Sequence, residues 1–222
     1  MKGPLRALIL GPPGGGKGTL SSRLVRDFGV SHISSGDALR QQIASGTAVG
    51  KQAEGFISRG DLVPDDVVSN LVLGHMASLG GGVPWLLDGF PRTLAQAHTL
   101  DTAHDINLVL NLEIPEAEIL SRLGGRRVHV ASGRSYHLVW NPPATEGVDD
   151  VTGEPLEQRP DDTDSAILER LAKYHELTHP LVEHYGARGL LTTFAGTESN
   201  VIYPEMHAHV TGLGVAPLTS AK

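Results

Sequence analysis

The sequence predicts an α/β fold whose core is a five-stranded parallel sheet. Three observations carry this reading. Short continuous apolar runs alternate with segments of helical periodicity. A glycine-rich loop joins the first run to the first helix, and about 35 residues of turns and β-like pieces interrupt the helical second half. Strands alternating with helices imply right-handed crossovers, and ligands on such sheets sit at the carboxyl ends of the strands.

Arg6-Ala7-Leu8-Ile9-Leu10 reads as a buried parallel strand, followed by the loop 11–18 and a helix with Leu20, Leu24, Val25 and Phe28 on one face. His32-Ile33 is a weak second strand. Residues 36–79 read as mainly helical, broken at Gly46 and from Gly60 to Pro64, where proline suits a new helix start. Trp85 to Leu87 is a third strand and Leu108 to Leu112 a fourth, and Pro115 opens a helix reaching about Gly124. Residues 126–162, with Gly133, Pro142-Pro143, Gly147 and Gly153, read as an inserted lobe with β-like pieces at 127–130 and 136–140. A long helix is expected over 164–185, bent by Pro180 and ended by Gly186. A fifth strand is expected over 190–195 and a last helix over 199–210, and the tail from Thr211 is expected to fray.

The chain has 222 residues and a formal net charge of −7, a poor balance for gripping a nucleic-acid backbone. No apolar run approaches the eighteen or so residues of a membrane-spanning helix. The segment before the first strand is too short for a signal or transit peptide. With no cysteine, disulfides, thiolate metal sites and a cysteine nucleophile are excluded, which fits a reducing compartment. Of 18 cationic residues 13 are arginine, whose rigid fork suits phosphate, although lineage bias produces the same skew. Position decides between the two.

The loop Gly11-Pro12-Pro13-Gly14-Gly15-Gly16-Lys17-Gly18-Thr19 lies between strand and helix, where a phosphate cradle must lie. Glycines let successive N–H groups curl around phosphate oxygens, the helix N-terminus adds positive potential, and Lys17 can reach the transferring phosphate. A plain glycine-rich turn would not also carry the lysine at this spacing. Gly18 displaces the usual hydroxyl by one residue, to Thr19.

Asp88-Gly89-Phe90-Pro91-Arg92-Thr93 follows the third strand, and Ser34-Ser35-Gly36-Asp37-Ala38-Leu39-Arg40 follows the second. Asp88 at a strand end is placed to hold magnesium or its waters; a turn or capping aspartate is the plain alternative. Arg40 and Arg92 at neighbouring strand ends suit one mononucleotide phosphate held by two forks. Thr93-x-x-Gln96 reads as a capping box. Arg122, Arg126 and Arg127 precede the turn-rich lobe, and Arg159 and Arg170 follow it. If the lobe folds over the loop, arginines from both hinges converge on a triphosphate. Arg127 and Arg134 can be explained as solvated surface charge alone.

These stretches resemble the adenylate kinases, in which Gly-Lys-Gly-Thr, Ser-Gly-Asp-x-Leu-Arg and Asp-Gly-Phe-Pro-Arg-Thr recur. The resemblance runs from about Leu5 to Val210 and, within the long-lid form, is nearest to mitochondrial GTP:AMP phosphotransferases. Stretches 62–66, 85–88 and 194–200 carry that nearer likeness. It implies a P-loop kinase core (1–33, 65–125 and 163–222), an AMP-binding helical lobe (34–64) and a lid (126–162). It assigns the triphosphate to Gly14, Gly15, Gly16, Lys17, Gly18, Thr19, Arg122 and Arg126. AMP falls to Ser35, Arg40, Gly89, Arg92, Gln96 (the base), Arg159 and Arg170. Lys17, Arg92, Arg126, Arg159 and Arg170 become catalytic, Asp88 holds Mg2+ through water, and Asp161-Asp162 is the acidic pair after the lid. Some relatives fix the lid with zinc through four cysteines; here His129, Ser132, Asp149 and Thr152 stand at that spacing. Serine and threonine are poor zinc ligands, so a hydrogen-bonded clasp without metal is expected.

The implied reaction is phosphoryl transfer from a nucleoside triphosphate, GTP or ATP, to AMP. It needs no general base, because the AMP phosphate is largely a dianion at neutral pH. A GTPase switch would want Asn-Lys-x-Asp, and no Asn-Lys pair occurs. A catalytically dead scaffold would be expected to have lost Lys17 or some arginines, and all are present. The resemblance suggests the mitochondrial matrix, composition fits cytoplasm equally, and a two-lobed closing enzyme works as a monomer without membrane or nucleic-acid partners.

Overall fold

A computed structural model describes residues 3–218. Its centre is a parallel sheet of β1 (Arg6–Leu10), β2 (Ser31–Ser34), β3 (Trp85–Asp88), β4 (Leu108–Glu113) and β7 (Leu191–Ala195), in the order β2-β3-β1-β4-β7. Ala7, Leu8, Leu87, Val109 and Leu110 are wholly withdrawn from water. A sheet buried on both faces explains why its strands read as unbroken apolar runs. One core layer joins Ile9, Leu86 and Leu110 to α1 (Lys17–Phe28), α6 (Glu116–Gly124), α7 (Asp164–Lys173) and α9 (Ser199–Gly212). The other joins Leu8, Leu87 and Val109 to α2 (Ser35–Ala44), α3 (Ala48–Arg59), α4 (Asp65–Ser78), α5 (Leu94–Ala103) and α8 (Pro180–Ala187). On α1, Leu20, Leu24 and Phe28 are buried, whereas Val25 lies half-buried at the margin.

Between α6 and α7 the chain forms a two-stranded antiparallel sheet, β5 (Arg126–Val128) with β6 (Ser135–His137). Both strands are shorter than the expected β-like pieces, and Leu138 to Trp140 turn away, exposed. Among the described residues no helix is long and apolar enough to cross a membrane.

Three expectations are corrected. The long helix is two helices joined by a π-turn, Tyr174–Thr178, in which His179 N–H donates to the Tyr174 carbonyl at 2.8 Å. Pro180 has no N–H to bond back four residues, so the chain widens ahead of it. Gly186 does not end this helix; it runs to Ala187, and Gly189 takes the left-handed turn at φ +68°. The tail does not fray at Thr211. Helix α9 continues to Gly212, Leu213 and Val215 pack on the core, and the Leu218 N–H donates to the Asp27 carbonyl. Residues 219–222 of that tail lie outside the described residues.

Candidate active site

Strands β1, β2 and β3 end together, and their following loops form one crevice. Gly14 and Gly16 adopt left-handed φ of +71° and +87°, so the loop after β1 closes in a way a side chain would resist. A Cβ on Gly14 would also meet Leu123 Cγ at 2.8 Å, and one on Gly15 the Pro12 carbonyl oxygen at 3.0 Å. Gly18 has open space at that position, so packing does not demand a glycine there. Helix α1 starts with no side-chain cap and no acidic residue in its first turn. Its leading N–H groups are left for an anion. Thr19 sits exposed on that first turn.

Lys17 Nζ donates to the carbonyls of Gly11 and Pro12, both at 2.8 Å, which folds the ammonium over the loop. Burial pushes its pKa from 10.5 down to about 8; Asp88 opposes that shift, and Arg92, Arg170 and Arg126 add to it. A lysine in the field of three arginines marks a place prepared for negative charge. Asp88 ends β3, and its carboxylate has no hydrogen bond among the described residues; His32 Nε2, buried without a partner, lies 3.7 Å away. A single hard carboxylate beside a phosphate loop, its oxygens unspent, fits magnesium held partly through water.

A second arginine-lined locus is built on the loops after β2 and β3. Ser35 Oγ donates to the Gly89 carbonyl at 2.6 Å, and Arg92 Nε to the same oxygen at 2.8 Å. Gly89 has φ +77°, and a Cβ there would meet Ser35 Oγ at 2.8 Å and the Arg92 guanidinium at 3.0 Å. Only glycine lets these two side chains close on one carbonyl. Burial, then repulsion from Arg170, lowers the pKa of Arg92 to about 10. Arg40 pairs with Asp37 at 2.5 Å. Arg159 is pushed down to about 9 by burial and by Arg126 and Arg40, and its Nε is buried with no partner.

Asp161 and Asp162, on a 3-10 turn at Pro160–Asp162, gather two further arginines. Arg126 forms two bonds to Asp162, at 2.7 and 2.5 Å. Arg170 reaches Asp161 Oδ2 at 3.0 Å and Asp162 Oδ1 at 3.1 Å. A carboxylate holding a guanidinium by both prongs has the geometry of a phosphate in its place. Lys17, Asp88, Arg92, Arg126 and Arg170 are therefore one electrostatic cluster, with Arg40 and Arg159 at its edge. Arg122 stands apart: it donates to the Thr197 carbonyl and lies 5.9 Å from the Trp140 ring.

Two sequence readings change here. Gln96 does not complete a capping box: its Oε1 accepts from the Arg92 N–H at 2.7 Å and its Nε2 donates to Asp65 at 2.7 Å. Thr93 does cap α5, accepting from the Gln96 N–H at 3.1 Å. Arg134 is not merely solvated. It grips Asp149 at 2.6 and 2.8 Å, and the Asp149 side chain is withdrawn from water. The quartet is joined by hydrogen bonds: His129 to Ser132 at 2.7 Å, Thr152 to Asp149 at 3.0 Å and Thr152 to His129 at 3.5 Å. Tyr136, donating to Asp149 at 2.9 Å, and Glu154, 2.5 Å from His129, were not expected members. Arg127 turns its guanidinium onto the carbonyls of Gly124 and Arg126.

A parallel sheet with a phosphate loop at its first strand, a second arginine-lined locus and two further arginines paired with Asp161 and Asp162 defines a P-loop phosphotransferase. A family model for adenylate kinase matches residues 9–190. The chain is 47% identical over 212 residues, 91% of either chain, to a Saccharomyces cerevisiae protein named GTP:AMP phosphotransferase, mitochondrial. A second S. cerevisiae protein of that name is 47% identical over 209 residues, 90% of this chain and 93% of its own. The chain belongs to the adenylate kinase family.

Proposed function

We propose that the chain transfers the γ-phosphoryl group of a magnesium-bound nucleoside triphosphate to AMP, with GTP as preferred donor, giving GDP and ADP. The observation that carries this is the pairing of Arg126 and Arg170 with Asp161 and Asp162 across from Lys17 and Arg92. Acidic partners keep the arginines charged and ordered until phosphates arrive to replace them. In this reading Gly14 to Thr19, Arg122 and Arg126 take the triphosphate. Ser35, Arg40, Gly89 and Arg92, with Arg159 and Arg170, take the AMP phosphate, and Gln96 meets its base.

An oxygen of the AMP phosphate attacks the γ-phosphorus, and the bond from that phosphorus to the β,γ-bridging oxygen breaks. No proton need move, because the second pKa of the monophosphate is about 6. Catalysis comes from alignment and from neutralising charge on the equatorial oxygens by Lys17, Arg92, Arg126, Arg159 and Arg170. Asp88, through its waters, would hold magnesium, which would supply further positive charge to the donor phosphates. Water is the rival acceptor. Closure of segments 34–64 and 126–162 over both substrates would exclude it, and reopening would then limit turnover. The guanine preference and a mitochondrial location follow the names of the two yeast relatives; the matrix compartment is our own reading of the resemblance. A monomer suffices for this scheme.

The test is ADP formation from AMP and magnesium with GTP, ITP and ATP compared at equal concentration. Faster turnover with GTP and ITP supports the donor assignment. Faster turnover with ATP replaces it with a general adenylate kinase, ATP plus AMP giving two ADP.

A further inference from the structure

Asp65 is the first residue of α4, directly after the segment 34–64. Both of its carboxylate oxygens are occupied: Oδ2 accepts from Thr93 Oγ at 2.8 Å and Oδ1 from Gln96 Nε2 at 2.7 Å. The other end of the same amide, Gln96 Oε1, accepts from the Arg92 backbone N–H at 2.7 Å. The Arg92 carbonyl in turn accepts from Thr178 Oγ at 2.9 Å, so the residue whose N–H clamps Gln96 is tethered on its other side as well.

These partners dictate which way the amide points. A carboxylate can only accept, so it selects the NH2 end; a backbone N–H can only donate, so it selects the carbonyl end. Flipping the amide would set donor against donor and acceptor against acceptor. Gln96 is 2% exposed, so water could not repair the mismatch. The clamps use one of two N–H groups and one of two lone pairs. One donor and one acceptor remain, in fixed order.

We infer that Asp65 is a specificity-determining positioning residue for the acceptor base, locking Gln96 so that its free carbonyl lone pair and free N–H match adenine. Adenine offers an exocyclic N–H donor beside a ring-nitrogen acceptor, whereas a 6-oxo purine puts an acceptor where that donor stood. A fixed amide accepts the first pattern and leaves an unpaired acceptor against an acceptor in the second. This inference rests on the proposed contact of Gln96 with the AMP base.

The test compares kcat/KM for AMP with that for inosine monophosphate under saturating magnesium donor. In Asp65→Ala the AMP-to-IMP ratio should fall at least tenfold. The loss should enter through the KM for AMP, with the KM for the donor unchanged. Asp65→Asn, whose side-chain oxygen can still accept from Gln96, should recover most of the ratio. Thr93→Val breaks the other arm and the helix cap but leaves Gln96 on Asp65. It should lower the melting temperature and keep the ratio. If Asp65→Ala does not fold, Asp65→Ser replaces it in the same comparison. An unchanged ratio in Asp65→Ala beside a collapsed ratio in Gln96→Ala would overturn the role of Asp65 alone. An unchanged ratio in both would overturn the base contact of Gln96 and the inference with it.

Discussion

Arg126 and Asp162 are joined by a two-pronged ion pair across the end of the segment 126–162, with the Asp162 side chain entirely out of water and Arg126 16% exposed. Arg170 shares the same carboxylate at 3.1 Å. Asp162 thus holds two arginines from opposite sides of the lobe.

Replacing Arg126 by alanine is expected to reduce kcat by about 10²–10³, the usual effect of removing one donor aimed at developing charge. Stability should fall much less than for an orphaned buried charge, because Arg170 still faces Asp162. Steady-state kinetics beside a thermal melt of the same preparation reads both. An unaltered kcat would remove Arg126 from the site.

Lys17 gives a pH signature. Its folded pKa of about 8 lies below the ordinary 10.5, so the free protein holds fewer protons there than the unfolded chain between those values. Unliganded stability should therefore rise as pH increases from about 8 to 10.5. A bound triphosphate favours the charged ammonium and raises that pKa. Binding near pH 8.5 should take up protons, and triphosphate affinity should weaken as pH climbs through 8. Titration calorimetry in two buffers of different ionisation enthalpy measures the uptake, which Lys17→Met should abolish.

Gly60 ends α3 with φ +81°, and a Cβ there would meet the Ala166 carbonyl oxygen at 2.7 Å and Arg170 Cγ at 3.0 Å. Gly60→Ala is expected to cost about 1–3 kcal/mol in stability, measured by urea unfolding. It should also raise the KM for AMP, since relief moves either α7, and with it Arg170, or the end of the segment 34–64.

The clasp of the small β lobe predicts a second pH effect. Arg134, helped by bonds from Thr152 and Tyr136, holds the Asp149 carboxyl far below the usual carboxylate range. The stabilisation is present above the unfolded pKa near 3.8 and is lost as pH falls below it. Asp149→Asn should lower the melting temperature by about 5 °C at pH 7, and the gap to the parent should narrow below about pH 4.

Much of the core and site could be read in the chain because the signals are local. Residues 6–19 show strand, loop and helix in sequence, and Ser35, Asp88 and Arg92 announce themselves at strand ends. The missed features depend on partners that lie far apart in sequence. Gln96 looked like half of a capping box because nothing nearby reveals Asp65, 31 residues away. Arg134 looked solvated because Asp149 stands across a turn-rich lobe with no periodicity. The π-turn escaped because Pro180 signals a bend without saying whether the chain tightens or widens before it.

The most direct measurement is the consumption of magnesium GTP with and without AMP, with GDP, ADP and inorganic phosphate counted. The predicted result is rapid, AMP-dependent turnover giving one GDP and one ADP per event, with little phosphate released. GTP consumption indifferent to AMP, with phosphate released in step, would make the chain a hydrolase and contradict the proposed transfer.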